Sequence, residues 1–432
     1  MTEKTGKSAF SLMKLLKMLG PGLVTGASDD DPSGIATYSQ AGAQYGFSTL
    51  WTALITFPLM AAVQEMCARI GCVTSQGLTG ILKTNYPKPV LWLMVLFSFP
   101  AIVLNIGADI AGMGAVANLI FPKIPAIAFS VGFTGLLLLA IILLPYQKMA
   151  SVLKWLCAIL LVYLVVPFLV KTDWHAVAMN TFIPHVVFNK DFIGVLVAIL
   201  GTTISPYLFF WQTTMEVEEN KHTQQAPNKA PNKAILVDKR RIQDIGFDVD
   251  VGMFLSNIVM FFIILTTGAV LFPAGIHQID TVEQAAKALQ PLAGPWAYYL
   301  FAIGIVGTGF LAIPVLSGSL SYIVSEAFGW QEGLDKKFHE ARPFYLVIIV
   351  SLLVGLAINY VGISPIQALI WSAVLYGVTS PVIIAIVMHI SNNTKVMGKY
   401  TNGVWSNLLG GLAWLLMTVS AGFLIYYQFF SK

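Results

Sequence analysis

Charge is what this 432-residue chain has least of: 11% of its residues are Asp, Glu, Lys or Arg, and 56% are hydrophobic. A soluble domain carries roughly 25% charged residues, so a cytosolic globule of this size could not be coated. That excludes a disordered chain, a coiled coil and a cytosolic enzyme. Cysteine is also scarce. Cys67, Cys72 and Cys157 make neither a disulfide framework nor a metal-type cluster. The six histidines (His175, His185, His222, His277, His339 and His389) fall in expected loops or at span ends. No His-Glu-x-x-His and no plausible Ser-His-Asp set can be assembled from them, so a membrane-embedded hydrolase is disfavoured and no enzyme is expected. The net charge of +4 is small and unevenly placed, which argues against nucleic acid as a partner. The opening residues form a basic amphipathic lead-in, with no secretory signal evident.

What the chain does have is long apolar runs. A span needs roughly 20 apolar residues, and eleven fit, at 18–43, 47–70, 89–120, 125–144, 149–170, 191–217, 248–272, 294–326, 343–361, 363–389 and 404–429. The expected fold is therefore an all-α integral membrane protein whose partner is the lipid bilayer. Basic residues concentrate in alternate loops, and with a cytoplasmic N-terminus 20 of the 25 Lys and Arg lie inside. The longest polar loop, 219–245, holds the near-repeat APNKAPNK and six basic residues, the composition of a flexible cytoplasmic connector.

Two spans break the helical rule in the same way. The first contains GASDDDPSGIAT and the sixth GTTISPYLF, each with a proline and small polar neighbours in mid-membrane. Pro32 and Pro206 stand 174 residues and five spans apart. An odd number of spans per repeat inverts the second copy, and matched discontinuous helices are the best sequence pointer to a transporter site. The expected organisation is a cytoplasmic tail (1–17), repeat one with helices 1–5 (18–170) and an extracellular loop (171–190). Repeat two, with helices 6–10 (191–389), and a peripheral helix 11 (within 390–432) complete it. Proline lacks the N–H that would meet the carbonyl four residues earlier. Pro32 therefore frees the Ser28 carbonyl and Pro206 that of Thr202, and in hydrocarbon something must meet each. A cation is one candidate, with Asp31 beside the break and Asp29 and Asp30 just before it.

The runs DPSGIATYSQAGAQYGFSTLWTALI and QEMCARIGCVTSQGL, with LGTTISPYLFFWQ in span six and ADIAG in span three, resemble the natural resistance-associated macrophage protein (NRAMP) family of divalent-metal transporters. The resemblance implies the LeuT/APC-like 5+5 inverted repeat. It also implies that Asp31, in the position of the family's motif aspartate, coordinates metal. The family's helix-six carbonyl ligand falls on Thr202, the carbonyl that Pro206 frees on independent grounds.

The departures from the family carry as much information. The motif asparagine is Gly34, the helix-six methionine is Ser205, and the helix-six histidines are Tyr207 and Gln212. The helix-three glutamate is Gly112, while its partner aspartate is kept as Asp109. This pattern resembles the divergent bacterial branch of NRAMP-related magnesium transporters, whose members move magnesium and also manganese without proton coupling. The chemistry agrees: a thioether favours transition metals, whereas magnesium wants hard oxygens and keeps its waters. The expected site comprises Asp31, the Thr202 carbonyl, Ser33, Ser205 and Gly34, with Asp30 nearby and Gln367 approaching from helix ten. Glu65, one turn from Arg69, is expected to form a structural i,i+4 pair. The resulting expectation is a secondary transporter moving Mg2+ and Mn2+ into a bacterial cytoplasm across the inner membrane, as a monomer, with no cofactor besides the transported ion. A proton-coupled manganese or iron importer is the alternative. A sodium-coupled organic-solute carrier and a channel are weaker rivals.

Overall fold

Proline interrupts the two central spans, and the remaining helices are arranged around the interruptions. The computed structural model describes residues 20–144, 158–225 and 239–429. The first span is split into α1 (Pro21–Asp29) and α2 (Pro32–Tyr45). There follow α3 (Trp51–Thr74), a short helix α4 (Leu78–Asn85), α5 (Lys88–Ile120) and α6 (Ala126–Leu143). The sixth span is split into α7 (Lys190–Thr203) and α8 (Pro206–Gln225). The chain continues through α9 (Lys239–Val270), α10 (Ala297–Phe328), α11 (Arg342–Ile358), α12 (Pro365–Asn392) and α13 (Val404–Phe429). No strand occurs among the described residues.

Nine stretches among the described residues are long and apolar enough to cross a membrane. The first expected span, broken in the same way as the sixth, is absent from that number, its middle carrying the three carboxylates Asp29, Asp30 and Asp31. Of the fifth, 149–170, residues 149–157 lie outside the described residues, and the rest forms only the short helical turns Ala158–Leu164 and Val166–Leu169. The connector expected at 219–245 is shorter than its composition suggested. Its polar ends continue the helices, to Gln225 in α8 and from Lys239 in α9, and Arg241 Nη2 donates to Asn220 Oδ1 at 2.6 Å.

Burial separates centre from periphery. The apolar stretch of the α7–α8 span is 94% buried, whereas that of α6 is 22% buried and that of α13 28%. The outer helices present Leu96, Leu136, Leu353 and Leu415 outward, as lipid-facing surfaces do. At the centre, α9 packs along both α1 and α2, and α3 packs along α8. That exchange is the one expected if the first two spans correspond to the sixth and seventh.

Close approach between helices rests on glycine, because lipid tails supply no hydrophobic drive and packing must come from shape. A Cβ on Gly26 of α1 would sit 2.2 Å from the Gly252 carbonyl oxygen of α9. A Cβ on Gly201 of α7 would sit 2.1 Å from the Ala373 carbonyl oxygen of α12. Each leading half-helix is thus pressed against its neighbour just before its break.

Candidate functional site

The two breaks have the same backbone plan. After α1, Asp30 turns the chain at φ −80°, ψ 55°; after α7, Ile204 does so at φ −107°, ψ 62°. One residue later each chain re-enters a helix through proline, with Asp31 and Ser205 in equivalent places. Asp31 is extended (φ −73°, ψ 171°) and caps α2, its Oδ1 accepting from the Gly34 N–H at 2.7 Å.

Both freed carbonyls are met by hydroxyls. The Tyr207 hydroxyl donates to the Ser28 carbonyl at 2.8 Å, which ties the second break to the first. The Ser205 hydroxyl donates to the Thr202 carbonyl at 2.5 Å, its other acceptor being the Gly201 carbonyl at 3.2 Å. An unsatisfied carbonyl in hydrocarbon costs several kcal/mol, so these two side chains account for the tolerance of both prolines.

Around Asp31 the polar groups come from four helices. Its Oδ2 accepts from Asn105 Nδ2 of α5 at 2.8 Å. Asn105 Oδ1 accepts in turn from the Ser372 hydroxyl of α12, also at 2.8 Å. Ser33 of α2 lies 3.0 Å from that hydroxyl and 2.8 Å from the Leu369 carbonyl oxygen. Thr202 borders the same space, because a Cβ on Gly34 would meet its Oγ1 at 3.3 Å and the Asp29 carbonyl at 3.4 Å. Asp31, Ser33, Asn105, Thr202, Ser205 and Ser372 are all 2% exposed or less, so the arrangement is closed on every side.

The structure thus brings Asp31, Ser33, Gly34, Thr202 and Ser205 together. Asp30 faces elsewhere: its Oδ1 is 3.4 Å from the Ser256 hydroxyl of α9, the same hydroxyl that donates to Asp29 Oδ2 at 2.7 Å. Gln367 is not brought in. It stays exposed in the first turn of α12, where its N–H donates to the Ser364 hydroxyl. Ser372, five residues on and about 140° around the helix, reaches the site instead, through Asn105 and Ser33. Asn105 and Ser372 are the two members that sequence reasoning missed. An asparagine inside an apolar span was the available signal for the first; a serine among small residues left none for the second.

Other sequence expectations have defined places. Glu65 and Arg69 pair at 3.5 Å, and Arg69 Nη2 also donates to Asn402. Gln212 accepts from the Thr25 hydroxyl and donates to Glu216 Oε1, so it braces α8 against α1. A side chain at Gly112 would begin 3.1 Å from Leu369 Cδ1, which leaves no easy space for an acid there. Asp109 is fully buried near the Ser33 backbone and Asp31, and its carboxylate has no side-chain hydrogen-bond partner. No group of three His, Cys, Asp or Glu side chains gathers at metal-binding distance among the described residues. The site around Asp31 is set among amides, hydroxyls and carbonyls, with the buried Asp109 carboxylate, one turn of α5 on from Asn105, close enough to act electrostatically on Asp31.

The family model for natural resistance-associated macrophage protein-like proteins matches residues 22–427. The chain belongs to this family. It is accordingly a multi-pass membrane transporter and not an enzyme. Among its relatives is the divalent metal cation transporter MntH of Caldanaerobacter subterraneus subsp. tengcongensis, 24% identical over 421 residues, covering 96% of this chain and 94% of that protein. The protein of the same description from Acidiphilium cryptum is 26% identical over 385 residues, covering 88% and 83%. The fold matches that of the Eremococcus coleocola manganese transporter with a TM-score of 0.73 at 20% identity, over 97% of this chain and 88% of that one. It also matches Mhp1, a nucleobase-cation-symport-1 family transporter, with a TM-score of 0.51 at 11% identity, over 95% and 91%.

Proposed function

We propose that this chain carries divalent cations, Mg2+ as well as Mn2+, into the cytoplasm by alternating access and without a coupled proton. One observation carries the reading: Asp31 brings a formal charge to the junction of both helix breaks, where its polar neighbours are amide, hydroxyl and carbonyl groups. Those are hard donors, suited to Mg2+ and acceptable to Mn2+. Ser205, standing where the family resemblance places a methionine, offers a hydroxyl on the Thr202 carbonyl in place of a soft sulfur. The names of the MntH relatives and of the manganese transporter support divalent metal as the substrate class. Broken helices on both sides of a closed site suit rocking of one half against the other.

Uncoupled transport is supported by the fate of the two positions where the family resemblance places histidines. Tyr207 and Gln212 are both committed to hydrogen bonds that brace α1 against α8. The reciprocal packing of α9 on α1 and α2 and of α3 on α8 supports repeats over 18–170 and 191–389. The bias of Lys and Arg to alternate loops supports a cytoplasmic N-terminus, and the bacterial relatives support an inner-membrane protein. A monomer suffices, since the whole site comes from one chain. The second reading, proton-coupled Mn2+ or Fe2+ import, is favoured by Asp109, a buried carboxylate without a side-chain hydrogen-bond partner.

Proteoliposomes with a lumenal pH dye decide between the two. Uptake of Mg2+ and Mn2+ with a steady lumenal pH is expected. Acidification that scales with metal uptake would establish the second reading, and uptake of neither ion would overturn both.

A further inference from the structure

We propose that Asn105 is a ligand-supplying and selectivity-setting residue for the transported cation: its amide turns over about Cβ–Cγ and presents Oδ1 beside Asp31. This rests on reading Asp31 as the cation site.

The partners around Asn105 can serve both orientations. In the one described, Nδ2 donates to Asp31 Oδ2 and Oδ1 accepts from Ser372, each at 2.8 Å. A cation against Asp31 Oδ2 would face the positive end of that N–H dipole. A half-turn of the amide costs no volume, because its two ends differ only in N and O, one a donor and the other an acceptor. Oδ1 would then lie beside Asp31 and Nδ2 beside Ser372. Ser372 can accommodate the exchange. Its oxygen then accepts from Nδ2, while its proton goes to the Leu369 carbonyl, already 2.7 Å away. Ser33 follows by donating to that carbonyl or to Ser372, at 2.8 and 3.0 Å. Every donor keeps an acceptor in both states, which a buried polar network requires. Asn105 and Ser372 are each fully buried, so water cannot substitute for either partner.

The position explains why an amide comes from α5. Gly34, one turn into α2, has no side chain to offer, and a Cβ there would already press on Thr202 Oγ1. The amide oxygen is a hard donor and adds to the Asp31 carboxylate without adding charge, an arrangement suited to Mg2+.

The test is calorimetric Mn2+ and Mg2+ binding to purified full-length protein, with uptake of both ions measured on the same preparations. Asn105→Leu removes the oxygen and should weaken binding at least tenfold, more for Mg2+ than for Mn2+. Asn105→Asp keeps an oxygen at either orientation but cannot donate to Asp31. It should bind Mn2+ within threefold of wild type or more tightly. Equal losses in the Leu and Asp variants would mean that Asn105 serves only as a donor holding Asp31, and would overturn the proposal, as would an unaffected Leu variant. Should Asn105→Leu fail to fold, a folded Asn105→Asp that has lost binding overturns the proposal by itself. Wild-type protein that binds neither ion defeats the cation-site reading itself and the proposal with it.

Discussion

The two helix breaks share a backbone plan, and the side chain just before each proline, Asp31 in one and Ser205 in the other, locates the chemistry. Asp31 and Ser205 occupy the same place, one residue before the proline, 174 positions apart. A carboxylate can only accept, so Asp31 reaches forward to the N–H of Gly34 and sideways to Asn105. A hydroxyl can donate, so Ser205 reaches back to the Thr202 carbonyl. The Ser28 carbonyl, which Asp31 cannot serve, is met instead by Tyr207, the residue after the second proline. One break therefore supplies charge, and the other supplies both the structural donors and the second oxygen wall. Matched architecture has been divided into unlike functions.

Removing the charge breaks the comparison most completely. Asp31→Ala should reduce Mn2+ and Mg2+ uptake to the level of protein-free liposomes while the protein still elutes as a single folded species. Near wild-type uptake would place the site elsewhere.

Next in size is the selectivity contrast. The double variant Gly34→Asn, Ser205→Met adds an amide and a thioether, and magnesium gains little from sulfur. The ratio of Mg2+ to Mn2+ uptake should fall by about tenfold, equivalent to about 1.4 kcal/mol. Total rate should fall as well, since Gly34 has Thr202 Oγ1 only 3.3 Å from where its Cβ would be. An unchanged ratio in an active variant would detach selectivity from these two positions.

The carbonyl donors are separable by a smaller effect. Tyr207→Phe should cost about 1–3 kcal/mol, the penalty for a buried acceptor left unmet, read as a lower melting temperature in detergent. Ser205→Ala should destabilise too, but saturating Mn2+ should restore its melting temperature, because a cation can meet the Thr202 carbonyl in place of the hydroxyl. Rescue of both variants alike, or of neither, would contradict the division of roles. Smallest of all, Gln367→Ala should change uptake less than twofold, since that side chain is exposed at the start of α12. A severe loss would bring it into the transport path.

Legibility in the sequence followed the strength of each physical signal. Proline in an apolar run has few explanations, so both breaks, and the carbonyls they free, could be read directly. Where the described residues cover whole spans, their positions followed from hydropathy, except where polar helix formers carried α8 and α9 into the loop expected at 219–245. Asp31 was legible because a carboxylate in a span demands a reason. Its partners were less so. Asn105 and Ser372 sit on helices far away in sequence, and only tertiary packing shows that Asn105 meets Asp31 and Ser372 meets Asn105 and Ser33. Gln367 illustrates the converse: the right helix was identified, but helical register decides which face is presented, and the residue that joins the Asp31 network is Ser372.

Transport as described here requires Asp31 to hold a divalent cation between the two breaks. Crystals grown with Mn2+ and measured at the manganese absorption edge test that claim most directly. We expect one strong anomalous peak at coordination distance, roughly 2.0–2.6 Å, from an Asp31 carboxylate oxygen, facing the Thr202 carbonyl. It should disappear in Asp31→Ala. A peak elsewhere in the membrane-spanning core, or one that persists in the variant, would contradict that placement.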